Sequence, residues 1–90
     1  MNNAVKHFSF EHEPIKNKHV WNIPGIAYEH RGVFAQYGIT TASQLLGQFM
    51  MFDLDIQRFI SWLTLIAPMI NINDINHCAN SLKAWCDNNL

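Results

Sequence analysis

Apolar residues along this 90-residue chain recur at three- and four-residue intervals, and no stretch alternates with a period of two. The pattern predicts an all-α protein. Residues 4–12 form a first helix with Val5 and Phe8 on one face, ended by Pro14, because the residue before proline is pushed out of the α region. Lys16-Asn17-Lys18-His19 reads as a polar connector, and residues 20–23 as a single helical turn leading into Pro24-Gly25. A further helix is expected from Tyr28 to Tyr37, with Val33, Phe34 and Tyr37 inward and Gly38 at the left-handed position that ends it.

The second half is more strongly patterned. Thr40 or Thr41 can N-cap a helix carrying Ala42, Leu45, Leu46, Phe49 and Met50 at helical spacing. Met51 and Phe52 widen its apolar surface, so that helix should be central. Asp55 caps the next one, with Leu54 and Phe59 in hydrophobic-staple positions and a row of Ile56, Phe59, Ile60, Leu63 and Ile66 before Pro68 stops it. Asn73 or Asp74 caps the last helix, which repeats Ile75, Cys78, Ala79, Leu82, Trp85 and Cys86. The expectation is one compact domain over residues 1–90 with five to six helices and no repeats.

Composition adds an apolar excess. Hydrophobic residues make up 49% of the chain, with three Trp, six Phe and four Met, more than so short a chain readily hides. Phe49-Met50-Met51-Phe52 cannot all point inward, since neighbours on a helix diverge by roughly 100°. Part of this surface is therefore expected to meet a second chain, and the protein to be a dimer. Gly47, among large neighbours, permits close approach there. Charged residues are only 14% and the net charge is −1, which leaves no polybasic arm and no acidic tail. The charge is nonetheless sided. Residues 1–32 hold four cations against three carboxylates, and the rest two against four.

Catalytic and metal signatures are missing. The histidines and cysteines fit no zinc spacing, and no nucleophile elbow or phosphate loop is present. Asp53 and Asp55 are explained by capping a helix start. The reading is a protein that is not an enzyme, with no cofactor and no metal. Cys78 and Cys86 stand eight apart on one helix, about 12 Å along its axis, too far for a disulfide, and read as buried thiols in a reducing compartment. The apolar-rich run from Trp62 to Ile70 is broken by Thr64 and Pro68 and falls short of a membrane span, so no membrane insertion is expected. No signal-peptide core is visible in the first residues, and the expected location is nucleus and cytoplasm.

One local feature points to a ligand. Pro24-Gly25-Ile26-Ala27 lies between two short helical patterns. A tight hairpin there turns the N–H groups at the start of the following helix outward, where the helix dipole favours an anion. Pro-Gly marks a turn before it marks a site. For an intracellular protein the commonest such anion is a nucleic-acid phosphate.

Lys6-His7, Phe10, Glu13-Pro14, Lys18, Val20, Gly25-Ile26, Gly38, Ala42, Leu46-Gly47-Gln48-Phe49, Phe59, Trp62-Leu63 and the segment from Leu82 to Asp87 with Trp85-Cys86 are colinear with one known family. Over almost its whole length the chain resembles barrier-to-autointegration factor. The resemblance implies an all-helical dimer with a helix-hairpin-helix at about residues 20–37. It implies sequence-independent binding of double-stranded DNA, and partnership with LEM-domain and lamin-type nuclear-envelope proteins in chromatin organisation. On matching positions, Lys6, Gly25, Ile26 and Ala27 would touch phosphates, helped by Lys18 and Arg31. Leu46, Gly47, Gln48, Phe49, Met50 and Met51 would form the dimer and partner surface. The chain departs from the family pattern in places. Ala27 replaces a second glycine, Glu29, His30 and Arg31 replace apolar and small residues, and Val33 replaces a lysine. Asn2, Asn3 and Ala4 occupy the family's phosphorylated positions. These departures define an alternative function: a paralogue with weakened DNA binding that heterodimerises with a family member and modulates it.

Overall fold

Among the described residues, two tight 3-10 turns and four α-helices build the domain. A computed structural model describes residues 10–90, so Val5, Phe8 and most of the expected helix over residues 4–12 lie outside the described part, as do Lys6 and the positions of Asn2, Asn3 and Ala4. Phe10 and Glu11 are helical. The 3-10 turns are Val20–Asn22 and Tyr28–His30. The helices are α1 (Arg31–Ala35), α2 (Ala42–Met51), α3 (Ile56–Ile66) and α4 (Ile72–Asn89). Among the described residues no strand forms beyond a single bridge between His19 and Thr41. The protein is all-helical, and residues 20–22 and 28–30, expected within helices, close as 3-10 turns.

Each helix end has a local cause. Thr41 caps α2 through its hydroxyl, which accepts the Gln44 N–H at 3.2 Å. The Gln44 side chain answers by accepting the Thr40 and Thr41 N–H groups at 2.7 and 3.1 Å, a complete capping box. At the other end, the Asp53 N–H bonds the Met50 carbonyl and the Leu54 N–H the Phe49 carbonyl, with both residues left-handed at φ 58° and 61°. That is a Schellman closure without glycine. Asp55 caps α3 by accepting the Arg58 N–H at 3.1 Å, as its spacing predicts.

Two expectations are corrected. The cap of α4 is Asn71, not Asn73 or Asp74. Its Oδ1 accepts the Asp74 N–H while its Nδ2 donates to the Asp74 carboxylate, both at 2.9 Å. Asp74 is thus the third helical residue, answering the cap rather than forming it. Tyr37 does not face inward; it is 54% exposed. The closing turn explains this. Gly38 takes φ +73°, and the Ile39 N–H returns to the Phe34 carbonyl at 3.0 Å. Phe34 and Ile39 then supply the buried pair across the helix end and Tyr37 is left on the outer side.

The core gathers around Phe34, Phe49 and Phe59, all fully buried, with Leu45, Leu63, Ile75 and Leu82. Phe59 is its ring centre, 5.0 Å from Phe49, 5.8 Å from Trp62 and 6.4 Å from Phe52. Helix α4 packs along α3 and also holds the front of the chain. Trp85 Nε1 donates to the Glu13 carbonyl at 2.8 Å and Asn89 Nδ2 to the Glu11 carbonyl at 3.1 Å.

Cys78 and Cys86 are buried on α4 and joined in no disulfide. Burial, and then the Asp87 carboxylate, push the Cys86 thiol above its ordinary value of 9.0, with Lys83 opposing. The folded state therefore favours the neutral thiol. The stability this contributes is full below about pH 9 and is lost as the pH rises through the folded value. Iodoacetamide near neutral pH should modify native Cys78 and Cys86 slowly and both rapidly in denaturant. Rapid labelling of the native protein would contradict the burial.

Candidate nucleic-acid interface

The hairpin begins as a β-turn whose residues are chosen by its geometry. Pro24 supplies the fixed φ of the first central position and Gly25, at φ +89°, the left-handed second one. The Ile26 N–H donates to the Ile23 carbonyl at 3.1 Å and closes the turn. A Cβ on Gly25 would fall well inside contact distance of the Asp74 carbonyl and 3.1 Å from the Cys78 amide nitrogen. Glycine thus lets the hairpin lie directly on the first turns of α4. Ile23, Pro24, Gly25 and Ile26 are all buried.

Only the far side of the hairpin is open. Ala27 is exposed and N-caps the second 3-10 turn, with φ −82° and ψ 153°, a conformation any residue adopts. Its carbonyl accepts the His30 N–H at 3.0 Å, while the N–H groups of Ala27, Tyr28 and Glu29 meet no acceptor among the described residues. The outward donors therefore start two positions later than the expected Gly25-Ile26-Ala27 row. Ile26 spends its N–H inside the turn, and the open donors begin at Ala27. Glu29 stands in the same first turn.

The two expected cations are both engaged. Lys18 Nζ contacts the Glu13 carboxylate at 2.9 Å. Arg31 lies 3.8 Å over the Tyr28 ring and donates to the Tyr28 carbonyl at 3.0 Å. Beside them runs an aromatic cluster that sequence reading did not single out. His19 stacks flat on Trp21 at 4.1 Å, and Tyr28 meets Trp21 edge-on at 5.0 Å. The only sequence signal was aromatic residues three places before Pro24 and three after Gly25.

The second expected surface divides along α2. Leu46 and Phe49 point into the core, and Gly47 and Gln48 are half-buried. Met50 and Met51 are 40% and 76% exposed. Gly47, Met50 and Met51 share one face at i, i+3 and i+4 spacing, and nothing lies within 4 Å of a Cβ placed on Gly47. No described helix is long and apolar enough to cross a membrane.

Residues 1–89 match the family model described as "Barrier to autointegration factor". The chain belongs to the barrier-to-autointegration factor family. It is 36% identical to barrier-to-autointegration factor A of Xenopus laevis, with 93% of this chain and 92% of that protein aligned. It is 32% identical to barrier-to-autointegration factor 1 of Caenorhabditis elegans and 30% identical to the Homo sapiens factor, each over 97% of both chains.

Proposed function

We propose that this chain binds double-stranded DNA without sequence preference, through the hairpin, and acts as a dimer that links DNA to LEM-domain and lamin-type nuclear-envelope proteins in nucleus and cytoplasm. The observation that carries the reading is the set of open N–H groups on Ala27, Tyr28 and Glu29, at the outer edge of a hairpin locked onto α4. Backbone donors read phosphate and not base edges, so contacts of this kind position a duplex without selecting a sequence. Gly25 and Ile26 shape that edge, Lys18 and Arg31 flank it, and Lys6 would add a further contact from the undescribed segment.

A second reading is supported by the engaged cations. With Lys18 held by Glu13, Arg31 folded over Tyr28 and Glu29 in the donor turn, phosphate affinity is reduced. In that reading the chain heterodimerises with a family member and modulates it. A mobility-shift assay on two duplexes of unrelated sequence tests the choice. The first reading expects both to shift alike at low salt, and Lys6→Ala to weaken both equally. No shift by the wild type, with a shift regained by the Ala27→Gly, Glu29→Val double variant, favours the second.

Dimer formation rests on the α2 face that carries half-buried Gly47 and exposed Met50 and Met51. The wild type should sediment at twice its 10.4 kDa chain mass at micromolar concentration. Gly47→Glu sets a charge in that face and should raise the dimer dissociation constant at least tenfold, since burying an unpaired carboxylate costs more than about 1.4 kcal/mol. A stable wild-type monomer would remove the idea.

A further inference from the structure

Tyr28 opens the turn that carries the unbonded N–H groups, and its ring lies exposed on the surface. We propose that this ring is a positioning group: it holds Arg31 as a fixed, uncompensated cation for the phosphate next to the one that the hairpin donors take. The proposal rests on the DNA-binding reading and names the side chain that sets the strength of the Arg31 contact.

Three observations carry it. First, Arg31 is tied to Tyr28 three times over. Its guanidinium carbon lies 3.8 Å over the ring, Nη1 donates to the Tyr28 carbonyl at 3.0 Å, and its backbone N–H bonds the same oxygen. The ring is itself braced, since Trp21 meets it edge-on at 5.0 Å and 88°. An arginine held in place before DNA arrives has less side-chain freedom to lose on binding. Second, the hold leaves the charge intact. Among the described residues Lys18 faces Glu13, Arg58 faces Asp53 and Lys83 faces Asp87, whereas Arg31 meets a ring and a carbonyl and no carboxylate. A ring face and a carbonyl oxygen attract a guanidinium without cancelling it, and only one side-chain N–H is spent on the carbonyl. The remaining donors form a planar fork that matches phosphate oxygens. Third, guanidinium and open donors share one stretch of backbone. The oxygen that Arg31 holds belongs to the peptide whose nitrogen is the open Glu29 N–H. A trans peptide sends its carbonyl and its N–H to opposite sides, so the two groups suit neighbouring phosphates of a strand rather than a single one.

The sign of one substitution separates presenting Arg31 from withholding it. Tyr28→Leu removes the ring face and keeps an apolar side chain. The full chain is titrated by fluorescence anisotropy into a labelled random-sequence blunt duplex over a series of salt concentrations. Wild type, Tyr28→Leu, Tyr28→Phe, Arg31→Gln and the Tyr28→Leu, Arg31→Gln double variant are compared, each with its native fold checked by circular dichroism. Tyr28→Leu should weaken binding about two- to tenfold at every salt concentration, the cost of ordering one long side chain at an interface. Its salt slope should match that of the wild type, because the charge is still present to be used. Tyr28→Phe, which keeps the ring face, should restore the affinity that Tyr28→Leu loses. Arg31→Gln should weaken binding and make the slope shallower by about 0.9, and in that background Tyr28→Leu should have no further effect. Tighter binding by Tyr28→Leu would mean that the ring withholds Arg31 from DNA, and unchanged binding that it does not hold it. An equal loss in the Arg31→Gln background would mean that Tyr28 acts without Arg31. Each of these three results overturns the positioning role and leaves hairpin binding standing. Absence of binding by the wild type overturns the DNA-binding reading itself, and the proposal with it.

Discussion

Gly25→Ala should destabilise the domain by about 2–5 kcal/mol, combining a left-handed alanine with overpacking against helix backbone. The methyl group would drive into the Asp74 carbonyl and press on the Cys78 amide, and neither is the free end of a side chain that can swing away. At roughly 4–8 °C per kcal/mol for a domain of this size, the melting temperature should fall by at least about 8 °C. The effect is specific to the position. Gly32→Ala, with open space around its Cβ, should leave stability unchanged or raise it by up to about 1 kcal/mol. Denaturant unfolding of the two variants side by side checks the contact. Equal stabilities would mean that the hairpin does not rest on α4.

Phe59→Ala should cost about 3–5 kcal/mol. The residue is fully buried and its ring meets those of Phe49, Phe52 and Trp62, so truncation leaves a cavity bounded by rigid rings that cannot collapse into it. A domain this small commonly has little more stability than that in total, so the variant should be largely unfolded or close to it. Phe52→Ala removes a half-buried ring from the edge of the same cluster and should cost clearly less. Near-ultraviolet circular dichroism with urea titration reads both. A fully native, cooperatively unfolding Phe59→Ala protein would contradict the assigned core.

Much of this core was legible in the sequence, because α2, α3 and α4 repeat apolar residues at helical spacing and carry side chains that can cap. The misses have physical causes. Asn71, Asn73 and Asp74 are all good capping residues, and only the reciprocal bonds show that Asn71 stands outside the helix. The spacing of Tyr37 from Phe34 predicts an inward side chain, but the turn at Gly38 brings Ile39 to that place instead. At the site, Pro24-Gly25 marked the turn correctly. Its reason lies partly in a backbone contact with a helix some fifty residues away in sequence, which no local pattern encodes. The same limit hid the aromatic cluster beside the hairpin. Trp21 and Tyr28 flank a turn in sequence, and only the fold brings His19 flat against Trp21 and the Tyr28 ring to its edge.

The hairpin as a phosphate site is the central claim, and its most direct test is the salt dependence of wild-type binding to a random-sequence duplex. Each phosphate neutralised releases condensed counterion, with a slope of about −0.9 per contact in the logarithm of affinity against the logarithm of salt. Few basic residues surround the hairpin, so some two to four phosphates per protomer, and a slope on the order of −2 to −4, are expected. A measurable affinity at low salt that falls with that slope, and does so alike on unrelated sequences, is the predicted result. No binding at the lowest salt, or binding that is indifferent to salt, would contradict it.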